Sequence, residues 1–100
     1  MRPEGLWDYR VGYVHLDYLM PGEIVILPQR AESFCWISTY VFIKIISPHG
    51  LVEGGQFWRI PKFGRPDDAT RKVRLKPQNF IVIGRYNGDI TQPPIMMEKK

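Results

Sequence analysis

Glycine and proline punctuate this chain throughout: there are nine of each, spaced at short intervals and never gathered into one linker. Both residues favour turns and interrupt regular structure, so the spacing suits short strands joined by turns. Tyr13 to Met20 alternates, with Val14, Leu16, Tyr18 and Met20 on one side, and predicts a half-buried strand. Pro21-Gly22 makes a turn, and the β-branched run Glu23 to Leu27, stopped by Pro28, can pair with that strand as a hairpin. Cys35 to Ile46 is rich in Ile, Val, Thr, Tyr and Phe, which pack well on a pleated surface, and reads as a long strand.

Further along, Gly54-Gly55 separates Leu51-Val52 from Gln56 to Ile60, a second hairpin pattern. Pro61 to Thr70 reads as a surface loop with one helical turn near Asp67. Lys72 to Lys76 alternates cleanly, and Phe80 to Ile83 is apolar on both faces, as a central strand would be. Asn87-Gly88 signals a type I′ turn with a return strand from Asp89 to Thr91. These elements predict a mostly β fold, a small antiparallel barrel or a sheet with one short helix. The alternative is an α+β fold with a helix near residues 31–45, because Phe34, Ile37, Val41 and Ile45 also fit helical spacing and Ala31-Glu32-Ser33 can begin a helix. Residues 1–94 read as a single globular domain and 95–100 as a mobile tail.

With 44% hydrophobic and 24% charged residues the chain has the make-up of a folded protein, and its 13% aromatic content can supply much of a small core. A single cysteine, Cys35, rules out an intramolecular disulfide and a thiolate cluster within one chain. Beside Trp36 in an apolar stretch it reads as a buried, inert thiol. The first five residues do not read as a secretory signal. Tyr40 to Ile46 falls far short of the roughly 20 apolar residues that cross a bilayer. These features predict a cytoplasmic protein with no membrane partner.

Chemistry-bearing motifs are sparse. His15 and Asp17 form an i,i+2 pair that a solvated strand face explains without a catalytic dyad, and His49 lies in a Pro-His-Gly turn. Asp67-Asp68 lacks the spaced ligand set of a calcium loop and reads as a turn or helix cap. Gly54-Gly55 and Gly64 have no phosphate-loop spacing. The sequence therefore predicts no catalytic residues, no metal, no cofactor and no enzyme.

The formal net charge is +4, but residues 59–76 alone carry seven Lys/Arg against two Asp/Glu. Over residues 57–76 aromatic residues alternate with cations: Trp58, Arg59, Lys62, Phe63 and Arg65, then Arg71, Lys72, Arg74 and Lys76. If Val73 and Leu75 face the core, Lys72, Arg74 and Lys76 project from the opposite face at intervals of about 6 to 7 Å. Such a row can track phosphates, while an exposed Trp58 or Phe63 can stack on unpaired bases. The nine residues are the predicted nucleic-acid-binding set, for DNA or RNA. The competing expectations are a solvated basic face, a protein-interaction module such as a homodimer, and an enzyme with a dispersed site.

Pro21-Gly22-Glu23-Ile24-Val25-Ile26-Leu27-Pro28 resembles the turn and strand that open many small SH3-like barrels, including ribonuclease toxins and ribosomal-type RNA binders. The short, aromatic, Ile-rich chain also resembles orphan proteins of viruses that infect hyperthermophilic archaea. That resemblance implies a viral accessory or virion protein from a thermophilic host. One Cys fits heat adaptation, whereas 24% charged residues show no Glu/Lys enrichment.

Overall fold

The computed structural model describes residues 12–30, 32–33, 35–61 and 70–95. Six strands appear in chain order: β1 (Gly12–His15), β2 (Glu23–Arg30), β3 (Cys35–Ile46), β4 (Gly54–Ile60), β5 (Arg71–Leu75) and β6 (Asn79–Arg85). They form one sheet in the order β1-β6-β2-β3-β4-β5 with every pairing antiparallel. The fold is mostly β, and the α+β alternative is set aside because residues 35–46 are strand, as their β-branched content predicts.

The sheet curls upon itself. Phe57 on β4 and Phe80 on β6 are three strand spacings apart, about 14 Å in a flat sheet. Their ring centroids nevertheless lie 5.0 Å apart. The link from β5 to β6 is only residues 76–78, although the strands it joins are separated by β4, β3 and β2. Curling encloses Leu16, Leu19, Val25, Tyr40, Phe42, Phe57, Phe80 and Val82 as the core, with Val14, Leu27, Ile45, Val73 and Leu75 packed against it. Phe42 and Tyr40 meet Phe57 edge-on at 5.2 and 5.9 Å, the arrangement that ring quadrupoles prefer.

Several local expectations change. The strand predicted over Tyr13–Met20 stops at His15 and becomes a 3-10 turn, Leu16–Tyr18. The His15 ring nitrogen Nδ1 accepts from the Asp17 backbone N–H at 3.2 Å, and the Leu16 N–H reaches across to the Gln78 carbonyl at 3.0 Å. That rotation drives Leu16 into the core while leaving Tyr18 70% exposed. β1 pairs with β6, and β2 pairs with β3 and β6, so the first predicted hairpin is replaced by long-range pairing. Gly54-Gly55 lies inside β4, whose hairpin partner is β3.

Residues 89–95, which follow Asn87-Gly88, contain no strand. Asp89 instead accepts from both the Thr91 N–H and the Thr91 hydroxyl, closing an Asx turn. Cys35 is exposed, because it opens β3 at the end of the β2–β3 hairpin, and this corrects the expectation of a buried thiol. The predicted loop falls largely, and the predicted tail almost wholly, on residues 62–69 and 96–100, outside the described residues, as does Asp67-Asp68.

Candidate nucleic-acid interface

β5 presents the pattern that its sequence predicts. Val73 and Leu75 pack on the core, while Lys72, Arg74 and Lys76 are exposed. Arg74 lies opposite Gln56 on β4, and Gln56 lies opposite Lys44 on β3, so the outer face carries a transverse row, Lys44, Gln56 and Arg74, across three strands. Lys44 owes its place to a register shift between Phe42 and Lys44. A strict two-residue period would put Lys44 on the same side as Phe42, facing the core. The bulge turns the lysine outward and sends Ile45 inward, where it packs on the core. Lys44 is thus a candidate that a sequence period hides. Its only signal is a lysine interrupting an apolar run.

Trp58 differs from its expected role. It is 6% exposed, and its indole Nε1–H donates to the Ile90 carbonyl at 2.8 Å. Lys72 Nζ stands 5.4 Å from the ring centroid, a cation–π contact from the residue directly opposite on β5. Beside it on β3, Val41 is fully buried on the same outer side, so this part of the sheet carries a second small apolar cluster, which the hydrogen bond to Ile90 ties to the segment after β6. The ring therefore anchors the carboxy-terminal segment and positions Lys72. It is not presented as an exposed stacking surface, which corrects that expectation.

The other predicted residues divide. Arg59 and Arg71 are opposite each other in register but on the inward side, since Arg59 shares its face of β4 with Phe57 and Arg71 shares its face of β5 with Val73. Lys62, Phe63 and Arg65 lie outside the described residues. The outer cations are Lys44, Lys72, Arg74 and Lys76. Among the described residues none of the four forms an ion pair with a carboxylate; the close approach of an acid to a basic group, Asp17 Oδ2 to His15 Nδ1 at 3.7 Å, lies beside β1. Asp89, fully exposed on the turn before Ile90, is held below the usual carboxylate range by the Thr91 hydroxyl and then by the Thr91 N–H.

Among the described residues, no group of three or more His, Cys, Asp or Glu gathers as a metal site, and no helix is long and apolar enough to cross a membrane. Comparison with protein families, with curated proteins and with solved structures returns no match.

Proposed function

We propose that this is a small non-enzymatic binding protein whose outer face over β3, β4 and β5 holds the phosphate backbone of DNA or RNA. The observation that carries the reading is the exposed lattice of Lys44, Lys72, Arg74 and Lys76, spread over neighbouring strands without a neutralising carboxylate among the described residues. Two directions of spacing, about 6 to 7 Å along β5 and about 4.8 Å per strand across it, give a surface that meets phosphates at several points. The same reading takes β2 to β6 as a small barrel of the SH3-like kind that residues 21–28 resemble. With Trp58 covered, affinity rests on charge and not on base stacking, so sequence preference is weak.

Fluorescence anisotropy with short single- and double-stranded DNA and RNA across a salt series tests this. Each neutralised phosphate contributes a log–log slope of roughly −0.7 to −0.9. Lys44→Ala alone lowers the magnitude of the slope by roughly 0.7–0.9, and Lys72→Ala, Arg74→Ala and Lys76→Ala together by roughly 2.1–2.7, equally for all sequences. Absence of binding at low salt by the folded protein overturns the proposal and leaves a protein-interaction module as the better reading.

A further inference from the structure

The cations that turn away from the outer face pose a separate physical problem. Arg59 and Arg71 stand directly opposite each other on the inward side of β4 and β5, and Tyr40 flanks Arg59 from β3. Directly opposed residues in an antiparallel pair have Cβ atoms about 4.5–5.5 Å apart, and like charges so placed destabilise the pair. Among the described residues no carboxylate forms an ion pair with either guanidinium.

Two hydroxyl-bearing residues of β3 share that inward side, Tyr40 in register with Arg59 and Ser38 two residues before it. Tyr40 is 5% exposed and Ser38 is 8% exposed, and both project from the inward side of β3, two residues apart. Among the described residues neither hydroxyl has a hydrogen-bond partner, although a buried hydroxyl normally finds one. The neighbourhood thus combines two guanidinium forks and two O–H donors, and among the described residues no acceptor uses them. A compact anion with several oxygens answers all of these demands at once. It bridges the opposed charges, accepts from planar forks in pairs, and takes the hydroxyl protons.

We propose that Arg59, Arg71, Ser38 and Tyr40 form a binding site for a phosphate-type oxyanion on the inward side of the curled sheet. This site shares no residue with the outer lattice of Lys44, Lys72, Arg74 and Lys76, and it stands whether or not that lattice binds nucleic acid. The anion is either a free small phosphate or the terminal phosphate of a larger molecule, and both offer the same oxygens.

Titration of the full chain with inorganic phosphate, followed through the arginine Nε–H resonances, is the direct test. Saturable shifts of the Arg59 and Arg71 signals are expected, with chloride at matched ionic strength causing none. Arg71→Gln removes one exposed guanidinium and weakens phosphate binding by about tenfold to a hundredfold. Tyr40→Phe keeps the ring against Phe57 and removes only the hydroxyl, so it weakens binding by about tenfold while the fold is retained. A short oligonucleotide with a 5′-phosphate, compared with its 5′-hydroxyl form, distinguishes the sources. A preference for the phosphorylated form that Arg71→Gln abolishes assigns the site to a terminal phosphate, whereas inorganic phosphate binding without that preference assigns it to a free one. Failure to saturate with phosphate, or saturation indifferent to both Arg71→Gln and Tyr40→Phe, overturns the proposal.

Discussion

Trp58 joins three parts of the molecule through one side chain: its N–H holds Ile90, its face carries Lys72, and its body is buried on the outer side of β4. Replacing it with Phe keeps most of the apolar contact but leaves the Ile90 carbonyl without its donor. The expected cost is about 1–3 kcal/mol, seen as a lower urea midpoint with an unchanged slope. Its effect on nucleic-acid affinity should be small and should leave the salt slope in place, because a positioning ring contributes no charge. An unchanged urea midpoint would show that the indole hydrogen bond contributes nothing net. Trp58 was legible in the sequence as an aromatic beside cations, but its burial was not. Its hydrogen-bond partner, Ile90, is 32 positions away, and no local pattern announces that contact.

Turns set the direction in which each strand leaves, and the turn at Pro21-Gly22 shows the mechanism at the level of an element. The Glu23 N–H donates to the Met20 carbonyl at 3.0 Å, and Gly22 has φ +93°, the positive value that a type II turn requires at its third residue. Glu23 returns the bond through its carboxylate, which accepts from the Met20 N–H at 2.7 Å. Gly22 also donates to the Phe42 carbonyl and accepts from the Tyr86 N–H, so the turn fastens the start of β2 to segments on both sides. Gly22→Ala imposes an unfavourable φ and brings a methyl group to 3.0 Å from the Tyr86 carbonyl oxygen. A loss of about 1–3 kcal/mol in denaturant unfolding is expected, and a variant as stable as the parent would contradict this reading of the turn. Pro-Gly made the turn readable in advance, as alternation did for β5 and β-branched content did for β3. The bulges were not readable. Whether Lys44 or Ile45 faces the core depends on pairing with β4, and the period within β3 alone gives the opposite answer.

At the scale of the whole molecule, a six-stranded sheet becomes a closed-in core only if its distant strands meet, and Leu16 is where several of them do. It is fully buried and its N–H is bonded to Gln78 on the β5–β6 link. A side chain at Gly55 of β4 would begin 2.6 Å from the Leu16 Cδ1 and 3.0 and 3.2 Å from the rings of Phe57 and Phe42. The missing Cβ of Gly55 is therefore the space that Leu16 fills, and the residue following β1 plugs a core walled by β3, β4 and β6. Leu16→Ala removes that plug, and large-to-small changes of this kind cost about 2–5 kcal/mol, a substantial part of a small domain's stability. Because one core serves every strand, the loss should be global. With Trp7 and Trp36 replaced by Phe in parent and variant alike, so that Trp58 is the sole indole, fluorescence reports the outer face and far-ultraviolet circular dichroism reports the sheet, and in the Leu16→Ala protein both should give the same lowered midpoint in urea. If fluorescence kept its original midpoint while the dichroism transition moved, the outer cluster around Val41 and Trp58 would be a separate cooperative unit, and the single-core account would fail.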